Sequence, residues 1–180
     1  MDDSRLTPAM LEDIEYFITA TIRSWQENDL IKVNSYAVLI RVAQRPFGGF
    51  ESDFSDHTFG DSRHDAEHDY DWYAENVLGK AKACEVARMD SHEAVRRHPG
   101  ALAYENGTFP WGGATYDALN GLIVSVSGFR EDEDILFAHT VRNFVVMLLD
   151  RFGQLRIDDA RQRGELEGEE GANRFTWTTA

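Results

Sequence analysis

The chain has one cysteine, four prolines and no long hydrophobic run. A single thiol, Cys84, excludes an internal disulfide framework and any zinc site built from several cysteines. The densest apolar run, Phe144 to Leu149, falls far short of the about 20 residues that a membrane helix needs. Bases are scarce too: 18 Lys and Arg face 32 Asp and Glu, for a net charge of −14. Such a surface repels phosphate, so neither nucleic-acid binding nor binding to an anionic membrane is expected. The first residues, Met-Asp-Asp-Ser-Arg, lack a basic-then-apolar secretion pattern, and a cytoplasmic, reducing location is expected. No phosphate-binding glycine fingerprint follows a strand, which leaves Rossmann and P-loop readings without support.

What is present describes a globular protein. The 180 residues are 42% hydrophobic and 12% aromatic. A chain of this size buries about 70% of its surface, enough for one core without staples. Thr7-Pro8 is a good helix start, and Leu11, Ile14, Ile18, Ile22 and Trp25 recur at helical spacing until Asn28-Asp29. Tyr36 to Val42 reads as a mostly buried strand, the residues 45–49 as a turn and Phe50 to Phe54 as a returning strand. Residues 51–71 hold eight acids against one base, together with three of the six histidines. That segment is expected to be a loop leading into a second helix over residues 70–89, faced by Tyr73, Val77, Ala81, Cys84 and Arg88.

Ser91 opens a further short helix, stopped by Pro99-Gly100. Residues 114–116 and 122–126 read as two strands joined by a turn over 117–121. Ser127-Gly128 closes the second of them. The last helix begins with Glu131, Asp132, Glu133 and Asp134, where negative charge suits the helix dipole. Ile135, Ala138, Val141, Val145 and Leu148 form its stripe, widened by Phe137, Phe144 and Leu149. Mixed strands with a long helix at each end predict an α+β fold. Residues 1–152 form the expected domain. Residues 153–180 form an acidic, glycine-punctuated tail, either a loose terminus or an arm whose residues 175–178 dock on a neighbouring subunit.

Several residues are able to carry chemistry. His64-Asp65-Ala66-Glu67-His68 has the H-x-x-E-H spacing, which on a helix puts both imidazoles on one face for a metal ion. His139, one turn beyond Ile135, is either a core histidine or an axial ligand to tetrapyrrole iron, and His98 is a second candidate for that iron. Lys80 suits an anionic ligand such as a propionate. The run Phe109-Pro110-Trp111-Gly112-Gly113 offers flat apolar rings and accessible backbone amides, as a ligand pocket requires.

Asn106 to Pro110, the run Gly121 to Phe129 with its Val-Ser-Gly ending, and Glu133-Asp134 resemble the heme-degrading-domain family, also called GlcG-like or HbpS-like. Lys80-Ala81-Lys82-Ala83-Cys84 stands where that family carries a K-A-x-x-A helix. The resemblance covers roughly residues 7–152 and is strongest to an uncharacterised branch. It implies a profilin-like or PAS-like α/β/α sandwich around a central antiparallel sheet. Dimers that assemble further, and binding of heme or a corrinoid, in some members with proposed heme degradation, are also implied. By position it makes Lys80, Phe109, Pro110, Gly112, Gly113, Ser127, Gly128, Glu133 and Asp134 pocket or motif residues. The expected function is therefore that of an oligomeric protein binding heme or a similar anionic small molecule, with oxidative turnover left open. Two alternatives stand beside it: a cofactor-free or metal-assisted enzyme using the histidines and acids of residues 57–71, and a purely structural assembly protein.

Overall fold

A computed structural model describes residues 5–32, 35–43, 54–61, 70–97 and 112–162. The elements run α1 (Pro8–Glu27), β1 (Tyr36–Ala43), β2 (Phe54–Asp61), α2 (Tyr70–Ala87), α3 (Ser91–Arg97), β3 (Ala114–Asp117), β4 (Leu122–Ser127) and α4 (Glu131–Gln162). The four strands form one antiparallel sheet in the order β2-β1-β4-β3. Helices flank it, and the fold is an α+β sandwich as expected.

Strand alternation divides the sheet into two faces. Ala37, Leu39 and Ala43 of β1, with Ala114 and Ile123, face α2 and pack against Tyr73, Val77, Ala81 and Cys84. On the opposite face lie Val38, Ile40, Val42, Leu122, Val124 and Val126, all fully buried. There α1 presents Met10, Ile14, Ile18 and Ile22, and α4 presents Phe137, Val141 and Val145. Aromatic rings join these two helices. Phe17 stacks on Phe144 at 4.0 Å, and Trp25 meets Phe137 edge-on at 5.2 Å.

Local chemistry explains the element ends. The Thr7 hydroxyl accepts from the Met10 N–H, and Pro8 occupies the first turn of α1, where no donor is needed. Asp117 accepts from both the backbone and the side chain of Asn120, which builds the β3–β4 turn. Arg5 then clips that turn to β1 by donating to the Asn120 and Ala43 carbonyls.

Three expectations change. The return strand is not Phe50–Phe54 but Phe54–Asp61, inside the segment read as a loop. Its acids do not forbid a strand, because Asp56 is paired with Arg41 and the whole of β2 is hydrogen-bonded to β1. On α1 it is Met10 rather than Leu11 that completes the buried stripe. Finally, α4 continues ten residues past Phe152, since residues 153–162 contain one glycine and otherwise tolerable helix formers. The chain divides into two compact units, Met1–Val146 and Met147–Ala180, so residues 131–146 of α4 belong to the first. No helix among the described residues is long and apolar enough to cross a membrane.

Candidate functional site

The motif residues of the second half converge at the start of α4. Lys80 reaches there from α2 and donates to Asp134 Oδ2 and to the Val126 carbonyl, each at 2.7 Å. Both side chains are sealed from water, at 3% and 5% exposure. Asp134 also accepts from the Phe129 N–H at 3.1 Å. Burial raises its carboxyl to about 6, against the opposing pull of Lys80. Gly113 passes over this pair with φ +116; a Cβ there would lie 2.6 Å from Asp134 Cβ and 3.1 Å from Lys80 Nζ. Only glycine admits so close a crossing.

Two other acids of this turn bind backbone N–H groups. Glu133 accepts the Arg130 N–H at 3.0 Å, the glutamate half of a capping box, and the Arg130 guanidinium at 2.9 Å. Glu131 accepts from the Gly112 N–H at 2.8 Å. Ser127 is buried at the end of β4, and Gly128, with φ +135, lies against the backbone of Ser35 and Tyr36. Lys80, Gly112, Gly113, Asp134 and Glu133 are thus gathered by sequence-distant elements. The polar atoms of Lys80 and Asp134 are spent on each other and on nearby backbone groups, so an anionic ligand reaching Lys80 would have to displace Asp134.

A second cluster lies where α3 and β3 meet the middle of α4. Asp90, just before α3, accepts the Tyr116 N–H at 2.7 Å through one oxygen and faces His139 Nε2 at 3.5 Å with the other. Ser91 accepts from the Ala114 N–H at 3.0 Å. His139 is one-third exposed. Burial lowers its proton affinity, Asp90 acts the other way, and the charges of Arg142 and His92 lower it further. His92 Nδ1 and Arg142 Nε are buried without a hydrogen-bond partner among the described residues. A buried polar atom left unpaired costs about 1–3 kcal/mol, so two in one cluster call for an explanation.

Nearby Cys84 is fully buried, and burial pushes its thiol well above the ordinary value; Asp90 adds to this, and hydrogen bonds from Ser91 oppose it. It is not placed as a nucleophile. A third polar group, on β1, joins Arg41 to Asp56 through two 2.8 Å bonds and to Glu85 at 2.6 Å, with the guanidinium over the Phe54 ring. These bonds raise the Arg41 pKa even though burial alone would lower it.

Phe109, Pro110, Trp111, His98, His64 and His68 lie outside the described residues. Among the described residues no group of three His, Cys, Asp or Glu side chains is placed to hold a metal ion. Sequence reasoning passed over Asp90 and Arg142. The available signals were an acid directly before a helix and an arginine one turn beyond a candidate histidine. No protein-family profile, characterised protein or solved structure matches the chain.

Proposed function

We propose that the protein is a homo-oligomeric small-molecule-binding protein whose ligand is heme or another tetrapyrrole-like anionic molecule, received at His139. The observation that carries this reading is the His139–Asp90 pair. A half-buried imidazole on a long helix, steered by a carboxylate, has the chemistry of an iron-ligating histidine. The donor set fits such a group: His139 would hold it, Asp90 would orient the ring, and the Arg142 guanidinium would lie near it. Heme iron, once bound, would supply oxygen activation. Support for self-association comes from α2, whose outer face leaves Trp72, Leu78 and Val86 exposed.

Titration of the purified chain with hemin, read by absorption, tests the proposal. A saturable red-shifted Soret band that is lost in His139→Ala is the expected result. A spectrum equal to that of free hemin at every ratio removes heme. Light scattering that finds only monomer removes the oligomer.

A further inference from the structure

We infer that the outer face of α2 binds the same face of a second copy of the chain, antiparallel, about a two-fold axis that passes between Leu78 and Gly79. The inference deepens the homo-oligomeric part of the proposed function and rests on it.

Helical spacing builds the face. Asp71, Trp72, Glu75, Leu78, Lys82 and Val86 are exposed. At the α-helical repeat they share about 120° of arc. That arc lies opposite Tyr73, Val77, Ala81 and Cys84, which pack on the sheet. Trp72 and Leu78 keep nearly half of their surface in water, and Val86 keeps two-thirds. Three apolar side chains left in water on one helix face gain by being covered.

Charge says what covers them. Glu75 and Lys82 sit on this face, and neither makes an ion pair among the described residues. They stand two turns apart, about 10 Å along the axis, too far to bond within one helix. The acid one turn beyond Lys82 is Glu85, which Arg41 already holds at 2.6 Å. Reversing the helix about the Leu78–Gly79 step exchanges Glu75 with Lys82. Each Glu75 then meets the partner's Lys82, and the face is complementary to itself, as an isologous contact requires. A parallel arrangement would set glutamate against glutamate and lysine against lysine, and is repelled. Two chains of net charge −14 also repel one another, and the reciprocal pairs offset this where the chains touch.

The same reversal orders the apolar residues. Leu78 lies over the partner's Gly79, and Trp72 falls beside the partner's Val86. A glycine inside a helix is unfavourable by itself. Here it has no side chain to hold the second helix away, and the distance between packed helices is set by the side chains at their contact. The apolar residues supply the affinity, and the two charges set the orientation.

Sedimentation velocity of the full-length protein over a range of concentrations tests the pairing. The wild type should associate. Glu75→Lys sets lysines against lysines, and Lys82→Glu sets acids against acids. Each should weaken association about tenfold or more, with circular dichroism showing both variants folded. Glu75→Lys combined with Lys82→Glu should restore it. Association that is unchanged in either single variant, or not restored in the double variant, overturns this face and leaves the oligomer standing. A wild type that is monomeric at every concentration overturns the oligomer too and leaves α2 to a different partner. The hemin titration is independent of these results, because His139 lies on α4.

Discussion

Lys80 Nζ and Asp134 Oδ2 lie 2.7 Å apart, and neither side chain reaches more than 5% exposure. The bond spans 54 positions of the chain and ties the middle of α2 to the first turn of α4. Removing one member of a buried pair strands the other charge in a low dielectric, at about 3–5 kcal/mol. Lys80→Met should therefore destabilise the fold by that amount in urea unfolding. Lys80→Met with Asp134→Leu should recover most of it. A double variant as unstable as the sum of the singles would show that the two groups act independently.

The same carboxyl gives a pH signature. Its folded pKa, about 6, lies above the ordinary 3.8, so the native state holds this proton more tightly than the unfolded state. The contribution is present below about pH 4 and is lost as the pH rises through 6, by at most about 3 kcal/mol. Measured from pH 4 to 7, the melting temperature of Asp134→Asn should not show this decline relative to wild type. Parallel profiles would contradict the assignment.

Two adjacent glycines should respond differently. Gly113→Ala places a methyl group against Asp134 at a φ of +116 and should cost more than about 2 kcal/mol. Gly112→Ala meets the flexible side chains of Glu131 and Ile135 and should cost less. Comparison of their denaturation midpoints checks the order.

Cys84 is fully buried with its thiol pushed up by burial, so it should resist a maleimide in the native state and react after unfolding. Fast labelling of folded protein would place it at the surface.

Arg41 holds Asp56 and Glu85 at once. Arg41→Ala should cost about 1–3 kcal/mol, and Arg41→Lys should recover only part, because an ammonium cannot span both oxygens of Asp56. Full rescue by lysine would mean that charge alone matters.

Most of the fold was legible because its signals are local. Thr7-Pro8, the Asp117–Asn120 turn and the acids at 131–134 each specify a cap or a turn from within a few residues. Strand β2 was missed because its hydrophobic pattern is weak: its acid Asp56 is matched only by Arg41, fifteen positions earlier. The site was legible in its members but not in their pairing. Lys80, Gly113 and Asp134 were singled out, yet nothing in their spacing says that the lysine is neutralised. Nor does the sequence show that Asp90 turns toward His139, since that contact joins the start of α3 to α4.

Every residue of β1 is buried, including Arg41. A strand shielded on both sides has no polar alternation to say which side is which, although a slip of one position would still exchange its two faces. Arg41 supplies the missing information. A shift of one position would drive its guanidinium into the apolar layer and turn Ile40 or Val42 toward two carboxylates. The residue that interrupts the run is thus the key to its register, and it lets an otherwise uniform segment be read in one way.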